Sequence, residues 1–388
     1  MRGSDGRRSW WDVDCGCAAG WRCGLAALGI LAAAALLFGG MPAAPAAQSP
    51  PPPDAWRTDF SRQLVGLHEF QLGGPPRDGI PAIDRPRFES VAAASAWLRD
   101  REPVILLVIA GEVRVYPLQI LVWHEIVNDV VSDTPVVVTF CPLCNTTVVF
   151  DARLDGRRYT FGTTGLLRHS NLVMYDRETE SWWQQATGEA LVGTLAGRRL
   201  APLPAQLVSW RAAREGYPEA QVLSRTTGYQ RDYGRNPYPG LDDVDRPPFL
   251  LRGIVDGRLA PMERVVTVQS GNEAVAYPYF VLRQVRVVNH TVGGEPVAIF
   301  WQEGSASPFS GADVGQTGVF RPVVAGQRLT FVAAGDGFRD LETGSLWTIL
   351  GRAIAGPLAG EQLAPVEHTD QFWFSWARFY PQTTLYQP

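Results

Sequence analysis

The sequence predicts a β-rich α+β protein made of two tandem homologous repeats packed together, preceded by a signal peptide or membrane anchor. Three observations carry this expectation. Segment 116–140, YPLQILVWHEIVNDVVSDTPVVVTF, recurs 161 residues later at 277–301 as YPYFVLRQVRVVNHTVGGEPVAIFW, with eight identical positions. Downstream, Asp176-x-Glu178-Thr179-x-Ser181-x-Trp183 returns as Asp340-x-Glu342-Thr343-x-Ser345-x-Trp347. The chain also carries 39 Gly, 30 Pro and 13 Trp among runs of β-branched residues, which marks a turn-rich strand architecture.

Residues 1–47 read as an export segment. The apolar run 24–38 follows Arg2, Arg7, Arg8 and Arg22, and small residues lead to Ala44-Pro45-Ala46-Ala47. That is the layout of a cleaved signal peptide. The alternative is an uncleaved anchor over residues 23–47, because no charge interrupts the stretch between Cys23 and Gln48. Both readings place the body in a periplasmic or extracellular compartment, with membrane contact only through this segment. Residues 48–103 form a Pro-rich linker and a lead-in containing GGPPRDGIPAIDRPRF, with a short helix expected at 95–99.

Repeat 1 spans 104–225. VILLVIA and EVRVY form a hairpin around Gly111, and Pro117 opens a short helical turn, where a missing N–H costs nothing. WHEIVNDVV and PVVVTF read as strands. Asp155-Gly156 is a hairpin turn signal. Closing helices are expected near 204–215 and 368–379. Residues 226–261 form a bridge rich in Tyr, Arg, Asp and Pro, and repeat 2 spans 262–388.

A 46% hydrophobic and 19% charged composition fits a packed globular chain. A net charge of −4 argues against general nucleic-acid binding. There is no Lys, which removes Schiff-base lysine chemistry. Phosphate-binding loops, dinucleotide fingerprints, nucleophile elbows and zincin motifs are absent.

The duplication acts as an internal control. Where repeat 1 has His124, Cys141 and Cys144, repeat 2 has Val285, Gln302 and Ser305. The strand–CPLC–strand motif resembles a metal-binding knuckle, with Asn145 at the position that favours a left-handed conformation. Gly293-Gly294 marks a two-residue turn in repeat 2. Carried to Ser132-Asp133, that turn sets a register placing His124 opposite Cys141, about 5 Å away. Cys141, Cys144 and His124 would then hold copper or zinc, with His169, Asp176 or water in the fourth position. By strand alternation Glu125 would face away from His124. Gln184, Tyr229, Arg231 and Asp232 are candidates for a polar ligand pocket. The competing account of the bridge is a strap joining the repeats.

The motifs WHEIVND, FCPLCNT, SNLVMYDRETESWW and TGYQRDYGRNPY are similar to those of the prokaryotic family named domain of unknown function 3179. The resemblance covers most of the chain after the linker. It implies that His124, Cys141 and Cys144 occur together, that His is not required at position 169, and no activity.

Three functions follow as expectations. The first is metal handling or metal-assisted chemistry on a small molecule, with a small-molecule or metal-delivery partner. The second is a periplasmic thiol–disulfide oxidoreductase. The third is a non-enzymatic binding module in which the cysteines form a structural disulfide. Whether the protein is an enzyme stays open at this point.

Overall fold

A computed structural model describes residues 55–388. The expected export segment 1–47 and the start of the linker lie outside the described residues. No helix among the described residues is long and apolar enough to cross a membrane.

The architecture is β-rich, with short helices between small sheets. Strands Pro103–Ile109 and Glu112–Pro117 form the expected hairpin, with left-handed residues at Ala110-Gly111. The next sheet is a meander. Ile126–Val131 pairs with Thr134–Cys141, which pairs with Thr146–Asp151. The Ser132-Asp133 turn has φ of 44° and 61°, and Val131 faces Thr134 across it. The same order of elements occurs again. Arg264–Ser270 and Glu273–Pro278 precede helix Tyr279–Val285, and Val287–Val292 pairs with Glu295–Gln302 around Gly293-Gly294. Asn128 clamps the backbone of Phe161 with two 2.9 Å hydrogen bonds, and Asn289 makes the same pair with Phe331. Two asparagines in matching positions therefore do one structural job, tying the meander to the next sheet.

Several element boundaries differ from expectation. The run around WHE is not strand. Residues Leu118–His124 form a helix that Pro117 caps, and Glu125 ends it with a left-handed φ of 59°. Leu118, Ile120, Leu121 and Val122 are all buried, so the segment is apolar on most sides and its periodicity favours neither conformation. The lead-in helix is Val91–Ala94, because Ser90 caps its start by accepting from Ala93 N–H. The closing helices are short, Trp210–Gly216 and Trp373–Phe379. Strands Ala205–Ser209 and Thr369–Phe372 occupy the positions before them. The described part of the lead-in is woven in. Phe70–Leu72 and Phe88–Ser90 add edge strands to two sheets of the first half.

The two halves share their interiors. One core joins Leu121, Val137, Phe140 and Phe150 to Phe309, Phe372 and Phe374. A second joins Val104, Val208 and Trp210 to Phe300, Phe320 and Trp347. Polar contacts follow the same exchange. Ser209 N–H donates to Gln316 Oε1 at 2.8 Å, and Thr146 Oγ1 lies 3.3 Å from Gln371 Oε1. The bridge touches both halves. Asn236 donates to Phe309 O at 2.6 Å, Asp242 bonds Ser310 at 2.7 Å and faces Arg264, and Tyr233 bonds His124 at 2.7 Å.

Candidate functional site: a buried cysteine pair beside an apolar pocket

Cys141 ends a central strand, and a single helical turn, Pro142–Cys144, returns the chain to Thr146–Asp151. Asn145 closes the turn at φ 51°, a left-handed position that its short polar side chain tolerates. The turn folds the two sulfurs together, 2.6 Å apart, and both cysteines are buried and unbridged.

Their surroundings are unequal. Cys144 Sγ accepts from Asn171 Nδ2 at 3.0 Å. Thr146 and the Cys141 thiol add further donors to it. The Ser375 hydroxyl, buried near the pair, has no hydrogen-bond partner among the described residues and lowers the pKa of the Cys144 thiol from a distance. Burial pushes the Cys144 thiol up, but these donors outweigh it, and its pKa is lowered. Cys141 has one backbone donor, Leu172 N–H, against burial and the neighbouring Cys144 and Glu125, so its pKa is held well above the ordinary thiol range. Cys144 is thus the more acidic thiol of the pair and Cys141 the less acidic.

A polar scaffold fixes Asn171. It donates to Gln185 Oε1 at 2.8 Å and accepts from Gln184 Nε2 at 2.6 Å. Gln185 in turn donates to Thr139 Oγ1 at 2.9 Å and Thr146 O at 3.1 Å. Gln184 is therefore a buried support of the sulfur site and not a wall of a polar pocket.

Glu125 is the acid beside the sulfurs. The left-handed helix end turns it inward, while its backbone carbonyl continues the ladder by accepting Phe140 N–H at 2.8 Å. Burial and the charge of Cys144 push its carboxyl up to about 8. It also lines a cavity of about 420 Å³ whose walls are mostly apolar, among them Ile80, Leu143, Leu172, Leu241 and Phe249. Leu143 lies between the cysteines, so the cavity ends next to the pair. Tyr238, Leu241, Arg246 and Phe249 of the bridge form its outer wall.

The expected metal set does not assemble. His124 sits at a helix end, off the strand ladder, so the register cannot carry it across to Cys141. Both its ring nitrogens are engaged, Nδ1 with Pro81 O at 2.8 Å and Nε2 with Tyr233 OH at 2.7 Å. Burial holds its pKa down to about 4. His169 lies in a separate turn, where Arg378 Nε donates to its Nδ1 at 3.2 Å. Asp176 is scaffold. It accepts Trp183 Nε1–H at 2.9 Å and the Thr179 hydroxyl, as Asp340 does with Trp347 and Thr343. Among the described residues no group of three or more His, Cys, Asp or Glu side chains is arranged to hold a metal ion.

The other bridge candidates are placed away from the cavity. Tyr229 is exposed and packs on the His124 ring at 5.3 Å, and Arg231 and Asp232 are exposed. The bridge residues that do line the cavity, together with Asn171 and Ser375, escaped sequence reasoning, whereas Glu125 was set on the face away from His124 because it was read in a strand. For Glu125 a signal existed, since the matching residue in the second half is Arg286. There, Arg286 donates to Gly335 O at 2.8 Å and Gln302 to Asp336 O at 2.6 Å, so structural bonds stand where the first half has sulfur and acid.

No curated protein and no solved structure matches this chain. A family model does match residues 77–383, most of the chain, and the chain belongs to the family described as Protein of unknown function (DUF3179).

Proposed function

We propose that this is an exported, duplicated protein whose first repeat carries a redox-active dithiol, Cys141 and Cys144, serving two-electron exchange with a small molecule. The observation that carries the reading is the unequal pair. Two buried sulfurs lie in contact, and the side-chain donor Asn171 bonds Cys144, whose pKa is lowered while that of Cys141 is raised. A thiolate next to a thiol is the arrangement that thiol–disulfide chemistry needs. Oxidation of a thiolate–thiol pair removes two electrons and the one thiol proton and joins the sulfurs, with Glu125 beside them to take up or give a proton. The recurring element order and the matched Asn128 and Asn289 clamps support the duplication. The metal reading has less support, because His124 is committed elsewhere. Two thiolates sharing one zinc also stand roughly 3.7 Å apart, from bonds of about 2.3 Å each.

The test is a redox titration of the purified chain in thiol buffers, with free thiols counted by alkylation. A midpoint in the range of cycling dithiols, about −270 to −120 mV, is expected. A midpoint below about −300 mV would instead mark a structural disulfide. One equivalent of copper or zinc on the purified chain, lost in Cys141→Ser, would return the metal reading to first place.

A further inference from the structure

The cavity has a feature that its apolar walls do not explain. Glu125 is only 7% exposed, and its carboxyl oxygens make no hydrogen bond to any described residue. Of the other polar groups on the same wall, the Tyr238 hydroxyl likewise has no partner among the described residues, whereas Thr163 and Arg246 are engaged. Thr163 donates to Ile80 O at 2.8 Å, and Arg246 donates to Pro239 O and Gly240 O. A buried carboxyl without a partner costs free energy unless something in the cavity bonds to it. The cavity volume, about 420 Å³, lies within the range of small-ligand sites. Apolar walls select a hydrocarbon body, and a single inward acid selects one hydrogen-bond acceptor on it.

We propose that this cavity binds an apolar quinone, with one carbonyl oxygen accepting a hydrogen bond from Glu125, as the electron acceptor of the cysteine pair. The proposal rests on the dithiol reading and names its partner. A quinone fits on three counts: an apolar ring, a carbonyl acceptor, and a capacity for two electrons and two protons. Cys144 thiolate adds to a ring carbon while the Glu125 proton passes to the carbonyl oxygen. Cys141 sulfur then attacks Cys144 Sγ. The carbon–sulfur bond breaks, its electron pair leaves with the ring, and the Cys141 proton completes the hydroquinone. The products are one disulfide, one hydroquinone and an ionised Glu125, which recovers its proton from solvent. Leu143, which follows Cys141 by two residues and precedes Cys144, lines the cavity while the sulfurs do not, so the C-P-L-C turn must shift for the ring to reach Cys144.

Duroquinone is a suitable probe, because methyl groups on all four non-carbonyl ring carbons suppress unspecific thiol arylation, and durene is the tetramethyl ring without carbonyls. Binding is measured on the full chain carrying both Cys141→Ser and Cys144→Ser, so that no electrons move. Duroquinone should bind about tenfold more tightly than durene, Glu125→Leu should remove that margin, and Glu125→Gln, which still donates, should keep most of it. Equal binding of the two probes, or a margin unchanged in Glu125→Leu, overturns the proposal. In the reduced chain with both cysteines intact, one duroquinone should be consumed for every two thiols lost. Probe binding without thiol loss overturns the acceptor role, and if the thiols also fail to cycle in thiol buffer, the fault lies with the dithiol reading. Thiols that cycle in buffer while duroquinone fails to bind overturn the quinone alone.

Discussion

At the scale of single residues, the site is a set of proton affinities fixed by neighbours. Glu125 holds its proton to about pH 8, whereas the unfolded chain releases it near 4.5. Between those values the unfolded state binds fewer protons, so stability falls as pH rises. Glu125→Gln should flatten this slope and leave the protein a few kcal/mol more stable than the parent above pH 8, measured by denaturant unfolding across pH. His124 runs the other way. Its folded pKa is about 4 against 6.5 unfolded, so its contribution is complete above pH 6.5 and is lost as pH falls towards 4. His124→Gln should remove that part of the acid sensitivity in the same experiment. Asn171→Leu deletes a direct donor to Cys144 and should raise its thiol pKa by about one unit, read from thiolate absorbance. The two cysteines were legible from the sequence because one half has them and the other does not. Asn171 was not, since its role depends on a contact across 27 residues of chain, which no local pattern encodes.

At the scale of elements, turns were easier to read than helix ends. Asp155-Gly156, Ser132-Asp133 and Asn145 all take left-handed conformations, as the residue types suggest. Asn145→Val should cost about 1–2 kcal/mol in thermal or chemical unfolding, whereas Asn145→Gly should be near neutral. The helical turn after Pro117 was read correctly, but its end at 123–125 was taken as strand, because a buried short helix has no polar face to mark where it stops. The error mattered. A strand would have aimed His124 at the sulfurs, whereas a helix ending in a left-handed Glu125 delivers the acid and sends the histidine to Tyr233. The register of the following hairpin was correct all the same, because it is set by its turn and not by how the chain enters it.

At the scale of the whole molecule, the halves are not independent. Phe309, Phe372 and Phe374 complete the core beneath the cysteines, and Trp210 completes the core of the second half. A chain of residues 55–261 alone would expose those contacts, so it should lack a cooperative unfolding transition, while the parent should show a single one by calorimetry. The internal repeat pattern made the two-part plan readable. The mutual insertion was not, because equal spacing in sequence says nothing about which half supplies whose interior.

Ser375 lies 231 residues downstream of Cys144, on the last helix. A ribosome makes the cysteine pair long before that helix exists. Until then the core around the pair lacks Phe372 and Phe374, so the nascent cysteines are less enclosed than in the folded chain. The surroundings that bury the two sulfurs are therefore complete only once Phe372 and helix Trp373–Phe379 have docked.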